Sequence, residues 1–442
     1  MTDTRLAHID QASFLGLRAL GHQPFFQGTW VYERAIDMAA LTRFNENLAH
    51  TLLGRLVDTS PLPFGRHRWA RIDRVPEIVV ESAPRDRSEL GAWIDEISNR
   101  PIDPESGPGW LLGVLTFTDG GTAVTMPIPH TLGDGLCVLQ AIGDATQGHS
   151  RGPAYPARYA GNRVKRFFAD LASSFRSLPS LAKAVVGLVK AARSMSSPGS
   201  PGPKALPPSP HPASQHQVVG VLVDQADWDA RAAAVGGSSN TLVQAFAASI
   251  GERLGRIGSD GQVRLAIPVS VREDGDTRAN ALDSITVACE PALLATDVSA
   301  LRAATKTALQ RLATTSHAML AALPLTPLLP KALVRKSEAI AMGAHDVPVG
   351  CSNYGPMDPA VGQIDGAEAR YFTARLVEPG MVPADFERIG GSAYVLSGRI
   401  LGRVFLSTNA YQPGVDLTQD QLAKHVDEVL GQFGLSSAQR VI

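Results

Sequence analysis

The sequence predicts a mixed α/β protein built as two strand-rich halves, each flanked by helices. Three observations carry this. The chain has 442 residues and is 44% hydrophobic, enough to bury large cores and long enough to favour two or more domains over one. Apolar runs with strand character alternate with segments of helical period from end to end. Between two such stretches, Ser194 to Pro212 is rich in Ser, Pro and Gly, the composition of a flexible or extended linker. The units this implies are 1–194, a linker at 195–216, and 217–442.

In chain order, Gln11 to Leu17 opens a mixed apolar segment, Trp30 to Tyr32 reads as a strand, and Leu41 to Leu56 has helical spacing. Arg68 to Val80 is extended, and Arg87 to Ile97 is helical. Trp110 to Phe117 and Thr122 to Ile128 form a strand pair around Thr118-Asp119-Gly120-Gly121, whose residues suit a hairpin turn. Leu136 to Asp144 is a helix. Past the linker, Val218 to Val223 is a strand with a helix after Ala226. Leu242 to Leu254 is a long helix with Ser239 or Asn240 as its N-cap. Gln262 to Val269 and Ser284 to Val287 are strands, and a helix starts near Val298. Met319 to Met342 is an apolar tract broken by prolines. Val347 to Tyr354 and Arg370 to Val377 are strands, Gly391 to Leu406 is a hairpin turned at Ser397-Gly398, and Leu417 to Leu435 is the closing helix.

The bulk properties exclude several classes. Lys plus Arg total 41 against 42 Asp plus Glu, a formal charge of -1, so the overall balance gives no basis for nucleic-acid binding. Cys137, Cys289 and Cys351 are odd in number and far apart, which argues against a disulfide framework or a cysteine-based metal site. Packed thiols are the expectation for Cys137 and Cys351. A reducing, cytoplasmic setting fits, since Met1 to Asp10 lacks the apolar core of a signal peptide. Met319 to Val334 holds three prolines and is too short to span a bilayer. From Arg163 to Arg193 the pattern is helical, basic and interleaved with Phe167, Phe168 and Phe175. This character suits either a peripheral membrane or lipid contact or a solvated crossover helix packed on the body.

One stretch concentrates chemistry: Pro127-Ile128-Pro129-His130-Thr131-Leu132-Gly133-Asp134-Gly135. Its histidine stands where a strand ends and a helix begins, with an acid four residues on and a glycine after it. A strand end holds an imidazole rigidly, and Gly135 is expected to take a backbone conformation denied to other residues. The competing reading is an ordinary Asp-Gly turn beside one of eleven histidines.

With His130, Asp134 and Gly135, the chain resembles the condensation-domain and chloramphenicol-acetyltransferase-like superfamily, whose site motif is H-x-x-x-D-G. Ala12-Ser13-Phe14, Asn240, Pro268-Val269-Ser270-Val271-Arg272, Asn280 and Ser352-Asn353-Tyr354-Gly355 are similar to stretches of bacterial wax ester synthase/diacylglycerol acyltransferases and mycobacterial polyketide-associated acyltransferases. The resemblance implies two chloramphenicol-acetyltransferase-like subdomains forming a pseudo-dimer with a tunnel between them, working as a monomer. It implies O-acyl transfer from a coenzyme A or carrier-protein thioester to a hydroxyl of a lipid, glycolipid or natural product, with no tightly bound cofactor or metal. His130 is then the general base. Asp134 is a structural residue paired with Arg272, and Gly135 leaves room for the donor carbonyl, near helix-start amides that stabilise an oxyanion. Asn353 positions acceptor or developing charge, and Ser352 and Gly355 shape that loop. An amide-forming enzyme and a non-catalytic acyl-thioester or lipid-binding protein are the alternatives. Pro129 replaces the histidine that usually precedes the base in the wax ester synthase group, Ala279 stands where a glycine is common, and the D-F-G-W motif of plant members is absent from the C-terminal half.

Overall fold

Two twisted sheets organise the chain, and one strand ties them together. The computed structural model describes residues 4–152, 154–160, 162–176, 216–314, 323–332, 334 and 347–441. The linker expected at 195–216 therefore lies outside the described residues apart from residue 216, as does the basic tract beyond Arg176. The strands in order are β1 (Phe25–Tyr32), β2 (Arg55–Asp58), β3 (Arg68–Arg71), β4 (Ile78–Val80), β5 (Leu112–Thr116), β6 (Thr122–Pro129), β7 (Gln217–Asp224), β8 (Val263–Ser270), β9 (Leu282–Cys289), β10 (Val349–Pro356), β11 (Tyr371–Val377), β12 (Ser392–Ile400), β13 (Arg403–Tyr411) and β14 (Gln439–Arg440).

The first sheet runs β11-β1-β6-β5-β4 and the second β14-β7-β13-β12-β10-β8-β9. β11 comes from the second half of the sequence yet pairs antiparallel with β1, Phe25 opposite Val377. The division by sequence and the division by sheet thus part company at this strand. Across the junction, Trp30 Nε1 donates to the Val361 carbonyl at 2.5 Å, and Phe372 of β11 packs edge-on against Phe405 of β13. Two apolar cores result, one of which includes Trp30, Trp93, Trp110 and Phe372, the other Trp228, Phe246 and Val426.

β1 and β6 are buried along their whole length, which is why they read as near-continuous apolar runs. Pro127 and Pro129 in an interior strand break the usual rule against ladder prolines. The ladder between β5 and β6 ends at Thr125 opposite Gly113, so both prolines fall where β6 has only β1 beside it. The strand end is thereby freed of a neighbour on one side, and it carries the chain into His130.

The hairpin between β5 and β6 closes through Phe117 N to Gly121 O at 2.8 Å, with Gly120 at φ 89. Three local expectations fail. The helix read over Leu41 to Leu56 stops at Leu48, and Leu56 lies in β2. The long helix spans Ser239–Arg253 and its N-cap is Ser238, whose side chain accepts from Thr241 N. The β12–β13 hairpin turns at Leu401-Gly402, both at positive φ, and Ser397-Gly398 sits inside β12. Gly398 is glycine because a β-carbon there would meet the Phe405 ring at 2.7 Å. Among the described residues no helix is long and apolar enough to cross a membrane. The basic segment forms a helix, Arg163–Arg176, docked by Arg166 to Asp58 at 2.8 Å and by Asp170 to Arg68, while Phe168 and Phe175 stay exposed.

Candidate active site

His130 leaves β6 held at both ends of its peptide. Its N–H donates to the Pro24 carbonyl at 2.9 Å, and its carbonyl accepts from Asn280 Nδ2 at 3.2 Å. Ser13 Oγ and Thr131 Oγ1 lie 3.3 Å apart just beyond it. Burial lowers the His130 pKa below 6.5, opposed by the charge of Asp134, the Asn280 amide, a hydrogen bond to its own carbonyl and the charge of Asp10. The imidazole is therefore neutral at neutral pH.

Asp134 is fully buried and N-caps the helix Gly135–Gln147, its Oδ1 accepting from Cys137 N at 2.8 Å. Its Oδ2 accepts from Arg272 Nη2 and from Ala281 N, each at 2.8 Å, and its N–H donates to Ala279 O at 2.9 Å. Arg272 in turn donates to the carbonyls of Arg278 and Ala279 at 2.9 and 3.0 Å. The acid thus meets donors on both oxygens, Oδ1 from its own helix and Oδ2 from the loop between β8 and β9, and its geometry is that of a clamp.

Two further residues complete this clamp, and neither stands out in the sequence. Asp10, fully buried, accepts from the backbone N–H of Ala279 and Asn280 at 3.0 and 2.8 Å. Arg55, also fully buried, donates to the Thr277 carbonyl at 2.6 Å and to Tyr155 at 2.8 Å, its guanidinium 4.2 Å from the Trp69 ring centroid. Both reach more than two hundred residues along the chain, so no local pattern announces them.

Gly135 plays a different part from the one its sequence suggests. It is absent from the left-handed glycines, so backbone freedom does not explain it. A β-carbon at this position would lie 2.2 Å from Tyr354 Oη and 2.3 Å from its Cε1. The glycine exists because a tyrosine from β10 lies on it. Ser352, on the same side of β10, shares a 2.5 Å hydrogen bond with Tyr394. Asn353 points the other way, donating to Asn240 Oδ1 at 3.1 Å and accepting from Gly355 N at 3.0 Å. Gly355 has φ 67. The structure therefore gathers His130, Asp134, Gly135 and Arg272 into one constellation with Tyr354, and places Asn353 against the helix Ser239–Arg253.

The cysteines are buried and unlinked. Burial pushes Cys137 and Cys289 up to about 11 and Cys351 up to about 12, far from the thiolate that covalent chemistry needs. No cluster of His, Cys, Asp and Glu able to hold a metal occurs among the described residues.

No protein-family model matches the sequence and no curated protein is similar to it. Solved structures are. The wax ester synthase/diacylglycerol acyltransferase from Marinobacter aquaeolei matches with a TM-score of 0.55 at 16% identity, over 98% of this chain and all of that one. Polyketide synthase associated protein 5 from Mycobacterium tuberculosis matches with a TM-score of 0.54 at 14% identity, over 97% and 98%. The nonribosomal peptide synthetase FmoA3 matches with a TM-score of 0.55 at 17% identity over 99% of this chain, which spans 45% of that one's length. The chain shares the mixed α/β fold of these structures.

Proposed function

We propose that the protein is an acyltransferase that moves an acyl group from a thioester, on coenzyme A or a carrier protein, to a hydroxyl of a lipid, glycolipid or natural product. One observation supports this above the others: a histidine whose pKa burial lowers, held at a strand end by its own backbone and beside a helix start. In this reading His130 takes the proton of the acceptor hydroxyl as its oxygen attacks the thioester carbonyl. The tetrahedral intermediate collapses with cleavage of the C–S bond, and the imidazolium returns the proton to the departing sulfur. Ester and free thiol are the products. Asp134, Arg272, Asp10 and Asn280 hold the base and the β8–β9 loop in place without touching substrate.

The test is a thiol-release screen crossing acyl thioesters with alcohols, sugars and amines. Ester formation that falls by about 10² to 10⁴ in His130→Ala supports the reading. Turnover that persists unchanged in that variant overturns the mechanism, and products confined to amines would move the assignment to amide formation.

A further inference from the structure

The space over Gly135 is where the superfamily resemblance expects the donor carbonyl, and here that space is occupied. Tyr354 Oη, Cε1 and Cζ stand 2.2, 2.3 and 2.4 Å from the position a Gly135 β-carbon would take. The ring also packs beside Phe26, centroids 6.0 Å apart and planes at 56°, and Phe26 is the direct partner of Ile128, two residues before His130. Tyr354 thus lies between β1, the strand paired with the end of β6, and the start of the following helix.

Its placement is built into the backbone. The pairing of β10 with β12 slips between Asn353, opposite Ser397, and Pro356, opposite Arg399, so Tyr354 and Gly355 together face Gly398. Such a bulge re-aims a side chain and recurs beside active sites. The left-handed Gly355 and the turn-like bond from Gly355 N to Asn353 Oδ1 fix it. The phenol stays protonated, since burial and the nearby Tyr394 and Asp134 raise its pKa well above the usual value. Among the described residues its hydroxyl has no hydrogen-bond partner in the protein. An aromatic ring held by a bulge, a glycine and a phenylalanine is a wall, and its position gives it something to limit.

We propose that Tyr354 sets the length of acyl chain admitted at His130, restricting the donor to short acyl thioesters. This rests on the acyl-transfer reading. A ring filling the volume over Gly135 leaves no path for an extended chain past the helix start, whereas an aliphatic residue in its place opens one. Each further methylene buried in the opened space adds affinity, so two or more amount to about tenfold.

The experiment uses non-hydrolysable thioether analogues of acetyl-, octanoyl- and palmitoyl-pantetheine, a headgroup common to coenzyme A and carrier proteins. Binding to the full chain is measured by calorimetry, and turnover is followed with the matching thioesters. The wild type is expected to prefer acetyl. Tyr354→Phe keeps that order because it keeps the ring. Tyr354→Val gains about tenfold or more for the octanoyl analogue relative to acetyl, and Tyr354→Leu, checked by circular dichroism, serves if the valine variant fails to fold. A wild type that already binds palmitoyl as tightly as acetyl, or a ratio unmoved in a folded Val or Leu variant, overturns the inference while leaving acyl transfer standing. A wild type that binds no analogue and releases no thiol sinks acyl transfer, and the inference with it.

Discussion

At the scale of single residues, Asp134 and His130 divide the labour that one short motif compresses. The Asp134 carboxylate is fully buried and takes N–H groups on both oxygens, and Arg272 beside it has a side chain 9% exposed. Asp134→Asn turns one of those oxygens into an NH₂ that must face the guanidinium, the Ala281 N–H or the Cys137 N–H, donor against donor. Leaving Arg272 buried and uncompensated costs about 3 to 5 kcal/mol, read as a lowered denaturant midpoint. Pairing Asp134→Leu with Arg272→Met is expected to recover part of that loss, because it removes the stranded charge. His130 responds to pH instead. Its lowered pKa keeps the free base populated below pH 6.5, so the acid limb of kcat/KM is expected to be centred beneath that value. A pH-rate profile with its acid limb centred at or above 6.5 would contradict the burial argument.

At the scale of elements, hairpins show what a sequence discloses and what it hides. Asp119-Gly120 and Leu401-Gly402 both turn a chain, and Ser397-Gly398 resembles the former more than Leu401 does. The difference lies in what surrounds each glycine. Gly402, at φ 69, has nothing within 4 Å of a β-carbon, while Gly398 sits under the Phe405 ring. Glycine for backbone freedom and glycine for close packing look alike in sequence, and Gly135 was open to the same confusion. Gly402→Ala is therefore expected to cost about 1 kcal/mol of stability through left-handed strain alone, with turnover intact. Thermal unfolding and a parallel activity assay check both halves of this statement. The strands and helices were legible because their apolar spacing is local. Tyr354, Asp10 and Arg55 were not, because what makes them part of the site is a partner far along the chain, Gly135, Asn280 and Thr277 respectively.

For the whole molecule, two histidines outside the site tie stability to pH. His67 Nδ1 accepts the Ser60 N–H at 3.1 Å while its ring meets Phe14 edge-on at 5.2 Å. His216 stacks on Phe386 at 4.9 Å and 13°, and Phe386 stacks in turn on Tyr411. Burial lowers both pKa values from 6.5 to about 4. Both fold best neutral, so the unfolded chain binds more protons between these limits and stability rises with pH across that window. Each contributes about 3 kcal/mol that is fully present above pH 6.5 and is lost as pH falls toward 4. Carboxylates held below their usual 3.8, such as Asp103, act only at lower pH, and the raised pKa of Asp10 works in the opposite sense. The histidines therefore govern the upper part of the acid limb. Combining His67→Asn, which keeps an acceptor for Ser60, with His216→Phe, which keeps the stack, removes both titrations. Denaturant titrations across this window are expected to show a slope shallower by nearly two protons in the double variant, and an unchanged slope would place the acid sensitivity elsewhere in the fold.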